Sequence, residues 1–139
     1  MKSYGKGLRS YLVNFDKNLE RELGVERDRW DCPNYHGIVF TSEAKWYGII
    51  AYVMLWDYAT YEEQTMRLRL SNGGIIRFYN LKDRTNEQMK MDIAGLEITT
   101  SIIDTEVVHE LNCDMQDFPL FAMSRMRSEC KHDCRLVIV

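Results

Sequence analysis

The chain has 139 residues, 45% of them hydrophobic, which suits one domain with one core and needs no cross-links. Its 18 Lys and Arg against 21 Asp and Glu leave a net charge of −3. That excludes a general attraction to nucleic acid but leaves room for a local basic stripe. The longest apolar stretch, Tyr47 to Trp56, falls well short of the roughly 20 residues of a membrane span, and the amino terminus lacks the apolar core of a secretion signal. A cytosolic protein with no membrane partner is expected.

In chain order, "GLRSYLVNFDKNLERELG" sets Leu8, Leu12, Phe15, Leu19 and Leu23 at spacings of three and four. That is one apolar helical face, with Gly24 as its expected stop. "RWDCPNY" is rich in turn formers, and "HGIVFT" reads as a short buried strand. "SEAKWYGIIAYVMLWDYA" is long enough for a helix, with Ser42 as its cap. Gly48 inside it costs roughly 1 kcal/mol relative to Ala. Its aromatic run, Trp46 and Tyr47 with Trp56 and Tyr58, is expected in the core rather than on a base-stacking platform, because only Lys45 supplies a nearby positive charge.

"QTMRLRLSNGGIIRFYNL" carries the clearest local pattern. Met66, Leu68 and Leu70 alternate with polar residues, and "SNGG" supplies a tight turn. Ile76, Phe78 and Asn80 then form one face of the return strand, and Ile75, Arg77 and Tyr79 the other. "DRTNEQMKMDIAG" predicts a short helix ending near Gly95. "ITTSIID" predicts a strand covered on both faces. "DMQDFPLFAMSRMRSEC" predicts a helix with Pro119 near its first turn. "CRLVIV" predicts another buried strand. Helices alternating with apolar strands define an α/β sheet, with the hairpin as an antiparallel insertion.

The four cysteines are Cys32, Cys113, Cys130 and Cys134. Without a secretion signal, reduced thiols are expected. Cys32 and His36 with "CKHDC" supply zinc-ligand types, but not at the spacing of a two-plus-two knuckle. His109 and Cys113 lie near Asp104 in sequence, yet nothing orients them as a nucleophile and base. Arg67, Arg69 and Arg77 are of the type that contacts DNA phosphates. For Arg67 and Arg69 a solvated hairpin face is the expected role.

Taken in order, "CPNYHGIVFTSEAKWYG", "MRLRLSNGGIIRFYNLKD", "IAGLEITTSIIDTEVVHEL", "FPLFAMSRMRSE" and "CRLVIV" resemble the ATPase domain of a tailed-phage terminase large subunit, the motor that packages viral DNA. The similarity runs from about Gly5 to Val139 and rests on order and spacing rather than on one motif. It implies a P-loop NTPase-like, mainly parallel sheet flanked by helices. It implies ATP and magnesium as ligands, the host cytoplasm as the compartment, and terminase subunits, a portal or double-stranded DNA as partners, with an oligomer compatible. Asp104 would be the magnesium-side acid and Glu106 a substitute base. Gly5, Lys6 and Gly7 would be the remnant of the phosphate loop, with Lys6 its only phosphate-binding lysine. Arg125 and Arg127 would contact DNA or a neighbouring subunit.

The departures are specific. A phosphate loop needs a strand, Gly-x-x-x-x-Gly-Lys-Ser/Thr and a helix, so that backbone N–H groups cradle phosphates and the hydroxyl holds magnesium. Here Gly7 replaces the hydroxyl residue, and the first glycine and its strand are missing. Ordinary glycines in an amino-terminal arm are the favoured explanation of Gly5 and Gly7. Thr105 stands where the family has its catalytic Glu, and Glu106 comes one place late. On a straight strand Asp104 and Glu106 share a face and Thr105 does not. The alternative is a pair of surface acids. Thr41-Ser42-Glu43 stands where many members have a basic pair.

Residues 1–139 are therefore expected to form one terminase-ATPase-like domain lacking most of a Walker A motif, with little or no hydrolysis by itself. The alternative is a non-enzymatic, phage-encoded binding module that docks on a terminase, portal or host protein through a sheet edge. An unrelated nucleotide-binding enzyme ranks last.

Overall fold

A computed structural model describes residues 16–56, 59–80, 98–106 and 135–139. Helix α1 (Lys17–Arg27) starts where Asp16 caps it, accepting bonds from the backbone N–H groups of Asn18 and Leu19. The expected helix over residues 7–24 is thus interrupted at Asp16, and residues 1–15 lie outside the described part. Gly24 does not stop α1. One glycine costs only about 1 kcal/mol in a helix, and burial of Leu19 and Leu23 outweighs that at about 1.5–3 kcal/mol each.

Strand β1 (His36–Thr41) passes with no loop into α2 (Glu43–Met54), whose first turn Ser42 caps through the Lys45 N–H. Sequence alternation then gives β2 (Ala59–Glu62), β3 (Arg67–Leu70) and β4 (Ile75–Asn80). The apolar run ending at Ala59 reads as one helix, yet α2 ends at Met54. Ala59 instead opens β2, which pairs antiparallel with β3 from Ala59↔Leu70 to Glu62↔Arg67. Local periodicity could not separate these states, because Ala59 and Tyr61 bury themselves through pairing with β3. Met66 sits at φ 52 in the β2–β3 turn rather than in the strand.

The Ser71–Gly74 turn forms as expected, with Gly73 at φ +99. Gly73→Ala is expected to cost roughly 1–2 kcal/mol, because a Cβ disfavours the left-handed region. Urea unfolding of the variant measures this loss.

β5 (Thr100–Ile103) and β6 (Arg135–Ile138) complete a six-stranded sheet in the order β2-β3-β4-β1-β5-β6. β4, β1, β5 and β6 run parallel to one another, and β3 is antiparallel to both β2 and β4. The α/β class and the antiparallel insertion are as expected. α1 and α2 cover the same sheet face. Leu19 and Leu23 join Trp46, Ile49, Ile50 and Val53 over Val39, Leu68, Ile76, Ile102 and Val137. Trp46 stacks on Phe78 at 5.2 Å and 9° in the core, with Tyr47 and Trp56 packed against it, while Tyr58 lies outside the described residues. On the other face Ile38, Phe40 and Ile103 are also fully buried. The helices expected around residues 82–95 and 114–130 fall outside the described residues.

A buried polar cluster ties the end of α1 to the amino ends of the strands. Glu26 is 0% exposed. It accepts from Tyr35 Oη (2.8 Å), Arg135 Nη1 (2.6 Å) and Arg29 Nη1 (3.2 Å), while Arg29 also donates to Thr100 Oγ1 at 3.2 Å. Arg135 reaches Glu22 as well. Burial alone would raise the Glu26 carboxyl, but bonds from Thr100, Arg135 and Tyr35 and the charge of Arg29 hold it below its ordinary value of 4.5. Burial, reinforced by the Glu26 charge, pushes the Tyr35 phenol up. Close packing around Tyr35 favours glycine at 37, where a Cβ would meet the Tyr35 ring and hydroxyl at 3.1 Å.

Cys32 is disulfide-bonded, to a partner outside the described residues. This corrects the expectation of a reduced thiol: whether two cysteines bond depends on their spatial approach, which spacing along the chain does not report. A bonded Cys32 sulfur is also unavailable as a zinc thiolate.

Candidate functional site

The strand order places a branch point between β1 and β5. The chain leaving β1 builds α2, β2, β3 and β4 on one side, and β6 lies beyond β5 on the other. In open parallel sheets the loops diverge at such a point and leave a crevice outside the carboxyl ends of the two strands. Thr41 ends β1 there, and Asp104 follows β5.

Asp104 is 1% exposed. Its backbone N–H donates to Phe40 O at 3.1 Å, extending the ladder one residue. Its Oδ2 accepts from Thr41 Oγ1 at 2.8 Å and lies 2.9 Å from Lys45 Nζ. Lys45 stands in the first turn of α2, so the abrupt passage from strand to helix aims its ammonium back over the strand tips. Nζ also lies 3.1 Å from Glu106 Oε2 and 3.5 Å from Asp16 Oδ2. Asp16 thus caps α1 with one oxygen and faces the crevice with the other.

Burial alone would lower Lys45, but hydrogen bonds and charges from Asp104 and Glu106 outweigh it and hold the ammonium above 10.5. Lys45 stays charged at any physiological pH. Among the described residues three carboxylates share this ammonium, an excess of negative charge that favours cations.

The chain turns helical after Asp104, and Thr105 swings outward to bond Val139 O through its N–H at 2.8 Å. Asp104 and Glu106 therefore converge, both on Lys45. Glu106 is mostly exposed, so only Asp104 departs from the picture of two surface acids. Gly5, Lys6, Gly7, Arg125, Arg127, His109 and Cys113 lie outside the described residues.

The sequence reading passed over Thr41, Lys45 and Asp16 as site residues. The signal for Lys45 was present: a capping serine directly after a strand puts the residue three places on above the strand end. Among the described residues no group of three His, Cys, Asp or Glu side chains is arranged to hold a metal by itself. Magnesium needs less from a protein, since one or two carboxylates suffice when phosphates and waters complete its shell. No helix among the described residues is long and apolar enough to cross a membrane. Compared with known proteins, the chain matches no family model, no curated protein and no solved structure.

Proposed function

We propose that the chain is a P-loop-like, terminase-ATPase-like domain whose own hydrolytic competence is impaired. One observation carries the reading: a buried aspartate stands at the carboxyl tip of a central parallel strand, at the branch point of the sheet, beside the cap of the first helix. That is the position at which open α/β sheets bind ligands. The donor set fits a magnesium–nucleotide, because carboxylate exceeds ammonium and a threonine hydroxyl stands next to the acid. Bound there, magnesium would neutralise charge on the phosphates.

The chain's own residues account for the weak hydrolysis. Asp104 is fixed by Thr41 and is the metal-side acid. Glu106, the substitute base, is engaged by Lys45, which draws its electron density away from an attacking water. Magnesium-dependent binding of a fluorescent ATP analogue is the expected result, lost in Asp104→Asn, with ATP turnover close to background in both proteins. Binding that ignores magnesium, or that survives Asp104→Asn, refutes the proposal.

A second reading is supported by the edge of the sheet. Among the described residues β6 is bonded only to β5, and Ile138 is 51% exposed. An edge strand with an exposed apolar residue accepts a further strand from a partner. That reading, a binding module for a terminase, portal or host protein, predicts no effect of ATP and magnesium on the melting temperature and a partner recovered by pull-down from infected cells.

A further inference from the structure

β3 and β4 place two arginines directly opposite each other, Arg67↔Arg77. Residues in that register share one face of the sheet, with Cβ atoms about 5 Å apart, and like charges there destabilise the pair. The face is the one away from α1 and α2, because Leu68 and Ile76, the alternating neighbours, lie in the core under those helices. It is therefore separate from the Asp104 crevice.

Among the described residues neither guanidinium has a carboxylate to itself. Arg67 Nε is buried with no hydrogen-bond partner. Among the described residues neither Arg67 nor Arg77 forms an ion pair. Glu62, opposite Arg67 in β2, pairs closely with Arg69 and acts on Arg67 only at longer range. Arg77 Nε donates to His36 Nε2 at 3.3 Å, so that ring nitrogen is unprotonated and brings no negative charge. Burial and the Arg67 charge both push the Arg77 guanidinium below its ordinary value. A buried guanidinium N–H without an acceptor, as at Arg67 Nε, costs stability, and the fold sets that group opposite a second, half-buried guanidinium.

We infer that Arg67 and Arg77 form an oxyanion site on the hairpin face, and that its ligand is a phosphate group. Two guanidiniums present donors in two planes. A tetrahedral phosphate, with several acceptor oxygens and up to two charges, satisfies both, whereas one carboxylate neutralises only one. The group belongs either to a nucleic-acid backbone or to a free phosphate or phosphomonoester. Arg67 is only partly solvated, its Nε being buried.

The test follows the arginine Nε–H signals in 1H–15N spectra during titration with inorganic phosphate, against sodium chloride at equal ionic strength. Saturable shifts of the Arg67 and Arg77 signals are expected. Affinity should fall roughly tenfold in Arg67→Gln and in Arg77→Gln, the worth of one charged hydrogen bond, with little change in Arg69→Gln. Both variants should fold, and in anion-free buffer melt no lower than the wild type, because the repulsion is relieved.

Titration with a short DNA duplex separates the sources. Shifts of the same two signals, with a salt slope reduced by about one on either substitution, assign the group to nucleic acid. Shifts with inorganic phosphate alone assign it to a free phosphate. Signals that do not move with either, or that move as strongly with acetate or an acidic peptide, overturn the phosphate site. So does a lower melting temperature of both variants in anion-free buffer, which would make the pair structural.

Discussion

Glu26→Gln is expected to destabilise the protein by about 3 kcal/mol, the low end of the cost of breaking a buried ion pair from one side. The replacement keeps the size of the side chain and leaves Tyr35 an oxygen to donate to, so the loss reports charge rather than packing. Arg29 and Arg135 would keep their charges against a neutral amide at the end of α1. Arg135 is 31% exposed, so solvent compensates part of its loss.

For a chain of this length the melting temperature should drop by roughly 10 °C. The sign of the pH dependence follows from the lowered Glu26 carboxyl. Its contribution is complete above the unfolded value of 4.5 and disappears as pH falls through the folded value below it. The gap between wild type and variant should therefore be widest near neutrality and close in acid. Thermal melts of both proteins across that range check this. A gap that persists unchanged in acid would mean that the carboxylate's ionisation is not what stabilises the cluster.

Lys45→Met removes the ammonium that, among the described residues, pairs with Asp16, Asp104 and Glu106, and so takes a close counter-charge from the buried Asp104. The expected loss is about 2–3 kcal/mol, with partial solvent access at Lys45 reducing the full buried-pair cost. Asp104→Asn in the same chain should recover much of it, because the neutral amide still accepts from Thr41 and no longer needs a cation. Denaturant unfolding of the two single variants and the double variant yields this coupling directly. Magnesium chloride should raise the melting temperature of Lys45→Met more than that of the wild type, since the ammonium no longer competes for the same oxygens. If the double variant is no more stable than Lys45→Met, electrostatic pairing is not what holds the crevice.

Both clusters stand at ends of the same parallel strands, one at the amino ends and one at the carboxyl ends. α1 joins them: Asp16 before its first turn reaches Lys45, and Glu26 in its last turn reaches Arg135. Its placement against the sheet is thus fixed at both ends by charge and in the middle by Leu19 and Leu23.

Local physics made much of the fold legible. Alternating Leu68 and Leu70, the Ser71–Gly74 turn, and Ile76 with Phe78 specify a hairpin because strand faces have a period of two and Gly73 adopts a positive φ. The compact Thr-Ser-Ile-Ile run of β5 and the Ser42 cap of α2 are equally local, and so was Asp104 as a polar residue ending a buried strand. What the sequence could not supply was everything that depends on which distant residues meet. Ala59–Glu62 became a strand only because β3 offered it an edge. Lys45 became the counter-ion of Asp104 only because β5 pairs with β1. Arg67 and Arg77 became a facing pair only through the register of the hairpin, and Cys32 became oxidised only through an approach in space. Periodicity and caps are written in neighbouring residues, whereas charge pairing is set by distances of a few ångströms between residues far apart along the chain, and those distances exist only once the sheet has assembled.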